Sequence, residues 1–179
     1  MKDPKKARAI MIVVIVISIL LGGYRALSSE ASKVENVFFN GVDGDGIGIN
    51  SDLSHRVDIS QNLITVAKRY LPAGDTSILD LVDASSRVAN SSNPSDKLRA
   101  NRELQLAFSS LSEKLDNNGM NEKDKRYLEN LKTDFISRNH IISLDGYNQK
   151  AVDFNIQLAR FPANILGSIT GIKPFELAQ

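Results

Sequence analysis

Sixteen consecutive residues near the N-terminus, Ala9 to Tyr24 (AIMIVVIVISILLGGY), carry no charge. At ~1.5 Å per residue they span about 24 Å as a helix. The hydrocarbon core of a bilayer is ~30 Å thick, so Ala7 and snorkelling Arg8 and Arg25 must extend the run at its ends, with Tyr24 suited to the interface. The pattern predicts a transmembrane anchor over 9–24, a basic tail over 1–8 and a body over 25–179. Beyond the run the period stays helical, with Ala31, Val34, Val37 and Phe38 on one face, so the membrane helix is expected to continue outward through Ser28 to Phe39.

In the body, apolar positions keep recurring at helical spacing between polar breaks. Residues 40–51 (NGVDGDGIGINS) hold four glycines and read as a loop. Asp52 is expected to cap a helix from Leu53 to Leu71, with Leu53, Val57, Ile59, Leu63, Ile64, Ala67 and Tyr70 on its inner face. Ser77 to Ala89 gives a further helix through Ile78, Leu81, Val82, Ala84 and Val88. Asn93-Pro94-Ser95-Asp96 is a strong helix start, and Asn117-Asn118-Gly119 a stop. Between them lie Leu98, Leu104, Leu106, Phe108, Leu111 and Leu115. The last long helix is expected from Glu122 to Phe161, through Leu128, Leu131, Phe135, Ile142, Val152, Ile156 and Ala159, with Gly146 its weak point. Pro162 must end it. Ile165, Leu166, Ile169, Ile172 and Phe175 then predict that residues 162–179 fold back onto the bundle, with a membrane surface or a partner as the alternative place for these side chains. No stretch alternates as a strand would. The fold class expected is all-α: an N-terminal transmembrane helix followed by an antiparallel bundle of long helices, coiled-coil-like in its packing.

Charge fixes an orientation. Residues 1–27 carry a net +4 and the remainder −3. Four of the basic residues precede the apolar run, which places the N-terminus in the cytoplasm and the body outside a bacterial-type cell membrane. A cleaved signal peptide is the competing reading, but the run is long for its apolar region. The mildly acidic body argues against nucleic acid as a partner. The chain has no Cys, which excludes disulfides, thiolate catalysis, Cys-ligated metal and a lipoprotein anchor.

Candidate chemistry is sparse. Asp43, Asp45, Asn50 and Asp52 sit in a loop with some features of a calcium site, but Ile47 and Ser54 occupy positions where such a loop needs oxygen ligands. It reads first as a glycine-rich turn and second as a weak calcium-responsive module. His55 and His140 lack any partner at metal-site or catalytic spacing, and His140 is expected half-buried beside Ile141 and Ile142. No phosphate-binding or nucleophile motif occurs, so no catalytic residue, cofactor or metal is assigned. Tyr147-Asn148 and Phe154-Asn155 lie seven residues apart, two turns along one helical face. Their rings are expected to pack between helices while their amides satisfy buried polar groups.

Those pairs, followed by Arg160-Phe161-Pro162-Ala163-Asn164-Ile165-Leu166-Gly167 and Gly171-Ile172-Lys173-Pro174, resemble the LemA family, which shows a repeated Tyr-Asn helix, a Phe-Pro stop and a glycine-containing tail. Arg56 to Tyr70 (RVDISQNLITVAKRY), with Asp58 and Asn62, is similar to that family's earlier signature. Phe154 stands where Tyr is usual. The resemblance implies a membrane-anchored bundle of long antiparallel helices. The function expected is a non-enzymatic, membrane-tethered scaffold or interaction module whose partners are the lipid bilayer and a protein. A regulatory or accessory subunit of a membrane enzyme or proteolysis system is the alternative.

Overall fold

The structure, a computed structural model, describes residues 4–44 and 46–178. Among these residues it is all-helical: α1 (Pro4–Asn40), α2 (Ile49–Ala67), α3 (Thr76–Asn90), α4 (Pro94–Asp116), α5 (Glu122–Leu144), α6 (Tyr147–Ala159) and α7 (Ala163–Thr170). The apolar run and the helical period behind it form one unbroken helix. An 18-residue stretch of α1 has a mean hydropathy of 2.4, long and apolar enough to cross a membrane. Its outer part joins the core through Leu27, Val34, Val37 and Phe38.

Packing sorts the helices into two groups. α2, α3, α4 and α5 pack on one another, whereas α6 and α7 pack on α1. Within the first group the directions alternate. Asp52 pairs with Arg138 at one end of α2 and α5, and Arg69 with Asp124 at the other. Arg87–Glu103 and Asp75–Lys114 pin α3 against α4 in the same antiparallel sense. The caps follow the sequence signals. Asp75, Asn93 and Asn121 each accept a backbone N–H from the first turn of α3, α4 and α5, and Pro94 takes the first helical position of α4.

Three expectations are corrected. First, α2 begins at Ile49, not Leu53, so Asp52 is no cap; it lies inside the first turn, buried, with its carboxylate on Arg138 at 3.0 Å. The helix starts early because Gly48 lies directly beneath the end of α1, where a Cβ would stand 2.5 Å from the Phe38 carbonyl oxygen. Second, the expected helix 122–161 is two helices. Asp145 is extended (ψ 142°) and its carboxylate accepts the Tyr147 N–H at 2.7 Å, a cap that restarts the helix in a new direction. Gly146 permits this because a Cβ there would meet Val42 at 2.6 Å. Third, the inner faces differ in detail. Arg56 and Ser60, not Val57 and Ile59, are fully buried on α2. Val82, Leu106 and Ile156 are exposed, and the inner face of α6 is Tyr147, Ala151, Phe154 and Leu158.

Candidate interaction surfaces

The Asn side chains of the repeated pair on α6 hold the C-terminal tail. Asn155 donates to the Phe175 carbonyl and accepts the Phe175 N–H, both at 2.8 Å. Asn148 does the same for Ala178, at 2.9 and 2.7 Å. Each amide thus substitutes for a peptide group of a neighbouring strand. The spacing is a length match: seven helical residues rise about 10.5 Å, and three extended residues cover about 10 Å. The Tyr147 hydroxyl adds a bond to the Glu176 carbonyl at 2.9 Å, and burial pushes that hydroxyl well above the usual tyrosine range. The rings bridge to either side. Tyr147 meets Phe38 of α1 edge-on at 5.3 Å, and Phe154 meets Phe175 of the tail at 5.3 Å. From the tail, the Glu176 N–H reaches Ser95 and its carboxylate reaches Arg102, so α4 is tied in as well. The signature of α6 therefore joins anchor helix, tail and four-helix group.

Beside this joint, a cleft of about 600 Å³ lies between the outer part of α1 and α6. Glu30, Lys33, Lys150 and Asp153 give its walls mixed charge, while Val34, Val37, Val42 and Phe154 supply apolar surface. A second cleft, of about 330 Å³, runs between α2 and α5 and gathers His55, Asp58, Asn62, Asp134 and Arg138. The two early signature residues Asp58 and Asn62 are thus on the surface, unlike those of α6. His55 is exposed, and His140, expected half-buried, is exposed too and does not line that cleft.

The glycine-rich loop does not gather its oxygens. Asn50 and Asp52 belong to α2, Asp52 is held by Arg138, and Asp43 is exposed; Asp45 lies outside the described residues. Among the described residues no group of three His, Asp or Glu side chains could hold a metal ion.

Sequence reasoning missed the centre of the four-helix group. Arg56 is fully buried, its guanidinium 3.9 Å above the Phe135 ring, and Phe135 stacks in parallel on Phe108 at 3.8 Å. The Arg56 Nη donors go to Asn139 and Gln105, its buried Nε has no partner, and among the described residues no carboxylate pairs with it. Burial lowers its pKa to about 10. The available signal was an Arg at position 56 in register with Leu53, Ser60 and Leu63.

Fold and joint together define a class: a helical bundle whose first helix is apolar enough to cross a membrane and whose C-terminal tail is clasped by paired Tyr/Phe-Asn motifs. The chain belongs to the LemA family, whose model matches residues 47–179. No curated protein matches the chain.

Proposed function

We propose that the protein is a non-enzymatic, membrane-tethered scaffold, single-pass, with its N-terminus in the cytoplasm and its body outside, that presents the α1/α6 cleft to a protein partner. The observation that carries this reading is the continuity of α1. The apolar run passes without a break into a helix whose Leu27, Val34, Val37 and Phe38 are core residues. A body joined in this way keeps a fixed height and orientation on the bilayer, which a flexible linker would not give. A fixed pose favours recognition of another membrane-bound protein, because the orientational cost of docking is already met. The cleft lies on the outer part of that same helix, next to the bilayer.

The test is photocrosslinking in native membranes from Ser32 and Gln157, which line the cleft, and from Lys123 at the start of α5. Discrete protein adducts from the first two positions and none from the third are expected. Adducts of equal yield from all three, or adducts to lipid alone, would sink the reading.

A further inference from the structure

The segment after α6 is the longest uncharged stretch in the chain beyond the apolar run: residues 161–172 (FPANILGSITGI), bounded by Arg160 and Lys173. It splits its apolar residues between two faces. Leu166 and Gly167 are buried. Phe161, Ile165 and Ile169, spaced four apart, are 80%, 49% and 67% exposed. Ile165 and Ile169 form a stripe on one face of α7, and Phe161 stands in the turn just before that helix.

The buried face fixes where the stripe sits. Leu166 packs so closely on Gly23 of α1 that a Cβ at Gly23 would lie 2.5 Å from the Leu166 Cδ1. Gly23 is the last residue but one of the apolar run. α7 has eight residues, about 12 Å of helix, so neither end departs by more than ~6 Å from the depth of Leu166 whatever its tilt. The apolar run alone spans about 24 Å of a ~30 Å hydrocarbon core, so the level of Gly23 falls at the boundary between acyl chains and headgroups. Arg160 and Lys173 flank the segment as basic residues flank an interfacial helix.

We propose that α7, with Phe161, is a second membrane element: a short interfacial helix that lays Phe161, Ile165 and Ile169 into the outer leaflet beside the anchor. This rests on the reading of α1 as a membrane-crossing helix. The body then meets the bilayer at two places, which prevents it from turning about the axis of α1 and holds the clasped tail at the surface.

The chain has no Trp, so single reporters can be placed in the full-length protein reconstituted into phosphatidylcholine–phosphatidylglycerol vesicles. Ile169→Trp is expected to emit blue-shifted, to be quenched by lipids brominated near the headgroup and to be shielded from aqueous iodide. Ile136→Trp on α5, also exposed, is the aqueous reference and should respond several-fold more strongly to iodide. Ile15→Trp reports the anchor. Quenching of Ile15→Trp by deeply brominated lipid, with Ile169→Trp as open to iodide as the reference, would overturn the proposal and leave the anchor standing. If Ile15→Trp also fails to meet lipid, the anchor falls and the proposal with it. Shielding of Ile169→Trp from both quenchers would mean that protein covers the stripe, which overturns it as well.

Discussion

The four-helix group and the joint at α1, α6 and the tail are held by different chemistry. In the first, α2 to α5 bury apolar faces around Phe108, Phe135 and the Arg56 guanidinium, and side chains pair with side chains. In the second, side-chain amides pair with the backbone of an extended tail. The first kind of contact tolerates exchange of similar shapes. The second calls for a carboxamide, which presents a donor and an acceptor side by side to the C=O and N–H of one tail residue. The Asn pair on α6, beside ordinary apolar periodicity on α3 and α4, follows from that difference.

Breaking the four-helix side is expected to have the largest effect. Phe135→Ala removes the ring between Phe108 and the Arg56 cation and leaves a cavity, a loss of about 3–5 kcal/mol. The buried guanidinium also loses its aromatic face, a contact worth ~2 kcal/mol when desolvated. Thermal or denaturant unfolding followed by circular dichroism should show a large drop in midpoint. Phe135→Leu should recover the volume but not the cation contact and fall between. A midpoint within one degree of the parent would mean that the stack contributes nothing.

Next in size is Gly48→Ala, at the turn that joins the two regions. The new methyl would sit 2.5 Å from the Phe38 carbonyl oxygen and 2.8 Å from the Gly41 nitrogen and the Val37 oxygen, all backbone. Overpacking of this kind costs about 1–3 kcal/mol. Gly74→Ala serves as the control, because a Cβ there meets open space and its backbone is not left-handed.

The clasp should respond differently in kind. Asn155→Ala leaves the Phe175 N–H and carbonyl without partners, a cost of about 1–3 kcal/mol. The expected readout is local: amide exchange at Phe175 and Ala178 speeds up while amides of α2 to α5 stay protected. Asn155→Asp keeps the acceptor, loses the donor and sets a carboxylate against a carbonyl, so it should release the tail at least as fully. Unchanged exchange at Phe175 in both variants would show that Phe154–Phe175 packing holds the tail without the amides.

How much of this was legible follows the same division. Helix existence, the Asn93-Pro94 start, the stop at 117–119 and the outward continuation of the anchor helix rest on local signals, namely period, caps and glycine. The break at Asp145-Gly146 was legible only as a weak point, because the neighbour that leaves no room for a side chain there is Val42, about a hundred residues earlier in sequence. Arg56 was hidden by the rule that charge faces water; three neutral neighbours, Asn139, Gln105 and Phe135, override that rule. The Asn148 and Asn155 spacing was visible, but its partner is an extended backbone with no side-chain pattern to read. Ile165 and Ile169 were expected to dock on the bundle with Leu166. The structure separates them, since Gly23 admits only one face of so short a helix.

The smallest expected effect is in the pH dependence, where the two regions pull in opposite directions. At the far end of α2, the Tyr70 hydroxyl at 2.6 Å, helped by Asn121 and Arg69, holds the Asp124 carboxyl below the usual range. Hydrogen bonding from Lys114 does the same for Asp75. A carboxyl lowered in the folded state contributes stability that is present above its unfolded value of ~3.9 and lost as pH falls through the folded value. Asp145, at the joint, is raised instead, chiefly by burial and secondarily by the nearby Asp52, against the pull of the Tyr147 N–H. The folded state then binds its proton more readily than the unfolded one, so stability rises as pH falls through the raised value. The melting temperature should therefore climb slightly on mild acidification, pass a maximum above ~pH 3.9 and then fall. Asp145→Asn retains an oxygen to cap the Tyr147 N–H and should erase the climb while leaving the fall. Asp124→Asn should shallow the fall while leaving the climb. A profile in which Asp145→Asn changes only the acid limb would reverse the assignment of the two carboxyls.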